Sequence, residues 1–335
     1  MGESEMDREN TLQWRPGRTG HVESHFLKAN SPDGRRAVWI KHTVFVPASE
    51  ADGAVAEVWG IAFDREAGAR LPLGGKATVP IDEARFDDAP FAIHAAGSEL
   101  RSGSARGQVE QEGRRLRWDL AYEPLGPPFR PFPSEAMYRG RFPKSKTVTP
   151  CPHGRFQGEL EVDGERWAVD EWLGMQGHNW GRGHADAYAW AHCNAWSGDV
   201  KDVWFEGFSG KVALGPLHTP WLSLAALQID GEVLRFDGLR TMLSREVDVA
   251  FDRWRFRFER EDRVLTGEIE ADKALMAGLY YHNPAGPLTY CLNSKLARAR
   301  LRLERAGRAP VNLQTDRIAL EIGTHDRNHG VRMVA

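Results

Sequence analysis

The sequence predicts an all-β protein built of two similar antiparallel, barrel-like halves. Three observations carry this reading. Short runs of β-branched and aromatic residues recur along the chain and are separated by Gly/Asp turns. Helical periodicity is scarce. Composition changes abruptly near the middle, where eight of the 19 prolines fall between Pro124 and Pro152.

The strands follow in order. Ala37 to Val46 is rich in β-branched and aromatic residues and stops at Pro47, and Val55 to Phe63 is its expected hairpin partner. Arg115 to Tyr122 alternates strictly, with Leu116, Trp118, Leu120 and Tyr122 on one face. Phe156–Val162 and Arg166–Val169 flank Asp163-Gly164, a strong hairpin signal. Tyr188–Trp196 and Val203–Ser209 flank Ser197-Gly198-Asp199, and Leu222–Ile229 and Val233–Phe236 flank Asp230-Gly231. Trp254–Phe258, Val264–Glu270 and Ala297–Glu304 complete the series. Such a run of short strands reads as barrel or sandwich. Proline cannot donate to a strand ladder, so the proline-rich stretch is expected to be a stiff connector rather than a central strand. The expected division is an N-terminal half over 1–135, a connector over 136–155 and a C-terminal half over 156–335. The halves look related. Trp39 and His42 share a strand whose partner carries Glu57 and Trp59, while Trp190 and His192 share a strand whose partner carries Trp204 and Glu206.

The 335 residues carry 44 basic and 47 acidic side chains, a formal charge of −3, which offers no electrostatic footprint for nucleic acid. Arg253, Arg255 and Arg257 alternate with Trp254, Phe256 and Phe258, the pattern of a solvated strand face over a core. Three dispersed cysteines, Cys151, Cys193 and Cys291, show neither a disulfide framework nor zinc spacing. The polar start MGESEMDREN lacks a secretory pattern, and the apolar stretch from Trp221 to Leu227 is too short to span a bilayer. A cytoplasmic location without membrane insertion is therefore expected by elimination. No phosphate-binding glycine loop, Gly-x-Ser-x-Gly or His-Glu-x-x-His is present, so neither a cofactor nor a metal is expected.

The richest stretch runs from Glu171 to Trp196. Gly174, Gly177, Gly181 and Gly183 suggest a turning loop that carries His178, Asn179 and Trp180 into a strand. That strand presents Tyr188, Trp190, His192 and Asn194 on one face and Ala189, Ala191 and Cys193 on the other. Small residues permit close packing on one side, and large amphipathic ones suit the wall of a ligand cavity on the other. Histidine titrates near neutrality, so His178 and His192 are candidate proton-transfer groups. Glu206, between Trp204 and Phe208 on one strand face, is expected to have a raised pKa and to act as an acid. Asn179, Trp180, Tyr188, Trp190, Asn194, Trp204, Trp39, Glu57 and Trp59 complete the expected ligand-binding set, with Glu57 as the first-half counterpart of Glu206. A packed core with internally satisfied polar atoms is the structural alternative.

Gln176-Gly-His-Asn-Trp-Gly181 resembles the Asp/Asn-His-x-Trp-Gly motif of the AttH-like, hydroxyneurosporene synthase (carotenoid hydratase) superfamily. Trp39-Ile-Lys-His-Thr43, Ala56–Asp64, Phe142–Lys146 and Leu292–Lys295 are similar to segments of its members, so the resemblance spans most of the chain. It implies two tandem lipocalin-like β-barrels. It also implies cofactor-independent hydration, cyclisation or isomerisation of isoprenoid or polyketide-like molecules. One departure stands out: Gly177 occupies the position where relatives often carry Asp or Asn, so an acid assigned there cannot be transferred. The sequence thus leads to an enzyme acting on an apolar unsaturated small molecule. A non-catalytic carrier of a hydrophobic ligand and a pure scaffold are the alternatives, and oligomeric state is left open.

Overall fold

The computed structural model describes residues 4–49, 53–70, 72–198, 200–214, 217–244 and 246–335. The first three residues and Asp199 of the expected turn lie outside them. Two large antiparallel sheets make up the molecule. The first contains β1 (His21–Asn30), β2 (Arg36–Val46), β3 (Val55–Asp64), β4 (Leu73–Pro80), β5 (Arg85–Asp88), β6 (Phe91–Ala95), β7 (Ser98–Arg101), β8 (Ser104–Gln111), β9 (Arg114–Pro124), β10 (Ser145–Val162) and β11 (Glu165–Gly181). Its spatial order is β4-β3-β2-β1-β11-β10-β9-β8-β7-β6-β5.

The second sheet begins with β12 (Ala187–Cys193) and β13 (Trp204–Lys211). A small hairpin follows, β14 (Ala213–Leu214) with β15 (Leu217–His218). The sheet continues with β16 (Leu222–Ile229), β17 (Glu232–Phe236), β18 (Val247–Ala250), β19 (Arg253–Arg260), β20 (Arg263–Glu270), β21 (Ala277–Tyr281), β22 (Thr289–Arg305) and β23 (Val311–Thr324). Its order is β17-β16-β13-β12-β23-β22-β20-β19-β18, with β21 on β22. Each sheet curls, so that β4 packs against β8 and β9, and β17 against β19. Three short helices, α1 (Glu5–Asn10), α2 (Glu135–Arg139) and α3 (Leu239–Met242), decorate the sheets.

Both sheets share one plan: the chain's first strand lies beside its last, β1 on β11 and β12 on β23. The duplication expected from sequence is present, but its phase differs. By topology β12 corresponds to β1 and β13 to β2, so Glu57 on β3 is not the counterpart of Glu206 on β13. The expected boundary also moves. Of the 136–155 connector only 136–144 is non-sheet, because β10 starts at Ser145, and β10 and β11 close the first sheet rather than open the second. The chain crosses between sheets at 182–186. Local hairpin signals could not show this, since β11 is flanked by a strand more than a hundred residues earlier.

Pro150 and Pro152 sit within β10 after all. They fall between Val148 and Gly154, where the pairing to β11 shifts register, and β9 pairs only from Gly154 onward. A bulged segment with one free edge accommodates residues that cannot donate. The Asp163-Gly164 and Asp230-Gly231 turns form as expected, both residues of each in the positive-φ region.

Each curled sheet wraps its own core. Leu27, Val38, Ile40, Val58, Trp118 and Leu160 belong to the first, and Ala189, Ala191, Phe205, Trp254, Phe256 and Ile318 to the second. A third cluster lies between the sheets: Phe26, Trp39, Trp59, Ile61, Phe63, Met175, Leu279 and Tyr281, with Trp190 against it. Residues of β2 thus alternate between two buried environments, Val38 and Ile40 on one side and Ala37 and Trp39 on the other. The three cysteines are buried free thiols. The Arg253, Arg255 and Arg257 strand face makes ion pairs with Asp248, Glu268 and Glu246 over the second core, as alternation predicts.

Of the four glycines of the motif region, Gly183 turns the chain with a positive φ after β11, while Gly174, Gly177 and Gly181 serve close approach instead. His178, Asn179 and Trp180 lie in β11, paired with β1 and β10, not on a loop. A Cβ at Gly174 would overlap the Lys28 carbonyl, at Gly181 the Lys144 carbonyl, and at Gly177 the ring of Phe26. Gly177→Asn should therefore destabilise the fold by roughly 1–3 kcal/mol through overpacking. Adding Phe26→Ala should recover part of the loss, as read by urea unfolding of the single and double variants.

Candidate functional site

A cavity of about 220 Å³ opens between the two sheets. Trp39 and Lys41 of β2, Asn179 of β11, Tyr188 and Trp190 of β12, and Glu206 of β13 line it. Tyr281, Glu321 and His184 add polar atoms, while Phe129, Phe132, Met137 and Phe142 cover it from the connector. The alternation of β12 explains the geometry: its small residues enter the second core, which leaves Tyr188 and Trp190 to face the first sheet. The space is thus a cleft between two curled sheets, not the hollow of one barrel.

Glu206 is buried in this wall. The Thr149 hydroxyl lies 2.7 Å from its Oε2, and the indole N–H of Trp190 donates to its Oε1 at 3.1 Å. Burial pushes its carboxyl above the usual range, against the opposing effect of these two bonds. A carboxyl so placed faces an apolar space with two polar partners at its back. Lys41 faces the same cavity from the other sheet, its Nζ 3.8 Å above the Tyr281 ring. Burial lowers it to about 8, while Cys291, Glu321 and Glu57 act in the opposite direction. Burial also lowers the His184 imidazole to about 3, and its ring stacks on Tyr281.

Of the twelve residues expected from sequence, Glu206, Asn179, Tyr188, Trp190 and Trp39 line this cavity together. The other seven do not. Neighbouring strand residues face opposite ways, so where Asn179 faces the cavity, His178 points toward α1. There His178 Nδ1 donates to the Glu9 carbonyl at 2.7 Å, and its Nε2 lies 2.8 Å from Glu23 Oε1. Trp180 shares that side and packs on His178 and Tyr138. His192 donates from Nε2 to the Pro152 carbonyl, and burial pulls its pKa far below the usual value. Asn194 is consumed by Lys28 and by the Gly174 carbonyl. Trp204 donates to Gln228 and packs on Phe129. Glu57 pairs with Lys76, and Trp59 lies edge-on to Tyr281. Sequence reasoning passed over Lys41, although a lysine centred in the apolar run Ala37–Val46 was a usable signal. It also passed over Tyr281, Glu321 and Thr149, for which nothing in the local pattern stood out.

The His178 side forms a second buried polar centre. Glu23 accepts from the backbone N–H groups of Gln13 and Trp14 and contacts His21 and His178, each at 2.8 Å. Burial opposes its ionisation, but the bonds from His178 and His21 win, and its carboxyl stays far below the usual range. Glu23, His25 and His178 bring one ligand atom each within 4.8 Å of one another, as a metal site would. The two rings, however, stack at 3.9 Å and 14°. Their in-plane lone pairs lie in nearly parallel sheets and do not converge on one ion. The Gln13 and Trp14 N–H groups on Glu23, with His178 on the Glu9 carbonyl, instead fasten residues 9–14 onto the first sheet. Glu23→Gln should cost about 1.5–3 kcal/mol at pH 7, the scale for hydrogen bonds to a charged group. Because the folded pKa lies below the unfolded value of about 4.3, this stabilisation is complete above that pH and is lost as pH falls further. Urea unfolding from pH 7 to 2 should show the gap between wild type and variant narrowing only below about pH 4.

Comparison with known proteins places this architecture. The chain is 25% identical over 296 residues to uncharacterized proteins of two Mycobacterium tuberculosis strains, covering 88% of this chain and 84% of theirs. Its fold matches an AttH candidate from Nitrosomonas europaea with a TM-score of 0.55 at 13% identity, over 94% of this chain and 98% of that one. It also matches kievitone hydratase from Nectria haematococca with a TM-score of 0.50 at 9% identity, over 90% and 88%. The all-β fold of two lipocalin-like halves expected from the sequence is therefore the AttH-like fold. The tocopherol cyclase-like family model matches residues 95–324, more than half of the sequence, and the chain belongs to that family.

Proposed function

We propose that this protein is a cofactor-independent enzyme that adds an O–H group across a carbon–carbon double bond of an apolar, isoprenoid or polyketide-like molecule. The observation that carries this is the buried Glu206 carboxyl, raised in pKa, on the wall of an aromatic-lined cavity. The names of its relatives point the same way: one is a hydratase and the family is cyclase-like. Hydration and ring closure are the same addition, with the hydroxyl supplied by water or by the substrate itself.

In this mechanism the protonated Glu206 gives its proton to the alkene carbon, and a carbocation forms at the neighbouring carbon. The rings of Trp39, Trp190 and Tyr188 stabilise that charge through their π faces. The hydroxyl oxygen attacks the cation, forming the new C–O bond. Its proton passes to the Glu206 carboxylate, which restores the acid. Thr149 and Trp190 hold the carboxyl in one orientation throughout, and Asn179 positions the attacking oxygen. Loss of a proton from carbon instead of oxygen attack gives isomerisation from the same cation. Trp180 and Trp204, expected from sequence among the ligand-binding residues, have no part in it because both lie outside the cavity.

Glu206→Gln keeps the shape and both hydrogen-bonding atoms but removes the transferable proton. It should lower kcat by roughly 10²–10⁴-fold, the usual scale for general acid catalysis, with ligand affinity nearly unchanged. The acid form is required, so wild-type kcat should fall as pH rises through the raised pKa of Glu206. A screen of prenylated phenols and polyenes for mass gain of water or for ring closure supplies the assay. Binding without turnover in both wild type and Glu206→Gln would establish the carrier reading instead, which the predominantly apolar cavity wall also fits.

A further inference from the structure

A ladder of alternating lysines and aromatic rings runs past the cavity, and Lys41, Trp39 and Trp190 of it line the space. Lys76 lies 4.7 Å from the Trp59 ring centre, and Lys41 lies 5.6 Å from Trp59 and 5.9 Å from Trp39. Lys295 follows, 5.6 Å from Trp39 and 5.4 Å from Trp190. The two outer lysines are neutralised. Lys76 pairs with Glu57 at 3.0 Å and Lys295 with Glu321 at 2.7 Å. Glu321 is further engaged by Asn293 and by the Cys291 thiol. Lys41, between them, has no carboxylate within ion-pair distance among the described residues, yet it is 4% exposed. Buried charges are normally paired, because leaving one uncompensated costs several kcal/mol. Lys41 alone of the three both lacks its counter-ion and lines the cavity.

We propose that the missing counter-ion is a carboxylate carried by the ligand, so that the cavity takes an alkenyl carboxylate with its head on Lys41 and its unsaturated chain toward Glu206. The assignment deepens the reading of the cavity as a substrate site and rests on it. Two further lysines line the cavity, but Lys146 donates to the Pro143 carbonyl at 2.8 Å and Lys144 lies 3.7 Å from Asp186, so Lys41 is the ammonium left without a fixed oxygen partner. A single such ammonium matches a monoanion, whereas a phosphate monoester of nearly two charges calls for two cations or a bidentate arginine. The flat rings of Tyr281, Trp39 and Trp59 supply the dry surroundings in which a single charge pair discriminates strongly. Glu321 also faces the cavity, but its charge is spent on Lys295, and it does not repel the incoming anion as a free carboxylate would.

Quenching of tryptophan fluorescence reports occupancy next to Trp39 and Trp190. Geranic acid, methyl geranate, geraniol and geranyl monophosphate form a series with one chain and four heads. Geranate should bind at least tenfold tighter than its methyl ester or the alcohol. Lys41→Met should reduce that preference to less than threefold, while Lys41→Arg retains it. Equal binding of acid and ester by the wild type, no binding of geranate, or a preference that survives Lys41→Met would overturn the proposal. Tighter binding of the phosphate than of the carboxylate would overturn the ligand class. The wild-type comparison needs no variant, so a folding defect in Lys41→Met cannot hide the answer. Glu206→Gln should keep the geranate preference. Preference without turnover would count against acid catalysis alone, and turnover of neutral alkenes without preference would count against the carboxylate subsite alone.

Discussion

The strands at the seam of this protein are buried on both faces, and the rest of the structure follows from that constraint. In β1 all ten residues are buried, β2 is nearly so, and β11 is buried throughout its central Gly174–His178 segment. A strand in that position has no solvent side on which to place polar groups. Every His, Glu, Lys or Asn in it must find a partner inside the protein or be left for a ligand. The seam accordingly holds a dense internal network: Lys28 to Asn30 and Asn194, Asn30 to the Lys295 carbonyl, and His192 to the Pro152 carbonyl. These bonds tie the sheets together where a purely apolar interface would only press them together.

Two buried glutamates show how the network assigns chemistry. Glu23 and Glu206 are both buried, yet one is driven below the ordinary carboxylate range and the other above it. Burial acts in the same direction on each. The difference is the number and kind of donors. Glu23 receives two backbone N–H groups and two imidazoles, so its charge is met four times over and it becomes a fastening for residues 9–14. Glu206 has only a hydroxyl and an indole, with an open apolar space beside them, so the neutral acid is favoured. Position on the cavity wall and poverty of partners together single it out as the proposed acid. Lys41 follows the same logic with the opposite sign, a charge held by aromatic faces instead of a carboxylate.

Glycine and proline were the least faithful guides in the chain. The motif glycines suggested a loop because glycine tolerates positive φ, but Gly174, Gly177 and Gly181 lie in a strand where carbonyls and the Phe26 ring leave no room for a Cβ. Gly177 is matched by Phe26, its register partner on β1. Pro150 and Pro152 suggested a connector because proline cannot donate, but bulges in β10 and its free edge remove the need for a donor. In each case the residue type has two physical uses, and only the neighbouring strand reveals which one operates.

The sequence by itself determined what depends on local periodicity. It specified the strand character of the chain, the two Asp-Gly hairpins, the solvated arginine face over Trp254, Phe256 and Phe258, and the asymmetry of β12 between small and large side chains. The raised pKa of Glu206 was legible because its aromatic neighbours lie two residues away on the same strand face. The tertiary structure decided what depends on strands far apart in the chain. It set the closure of each sheet by its first strand, the boundary at 182–186, and the separation of His178 from Asn179 onto opposite faces. It also brought together Thr149, Trp190, Glu206, Tyr281 and Lys41, which come from separate strands of both sheets. Periodicity shows which residues share a face of one strand, but which faces meet is settled by packing between strands that the local pattern does not record.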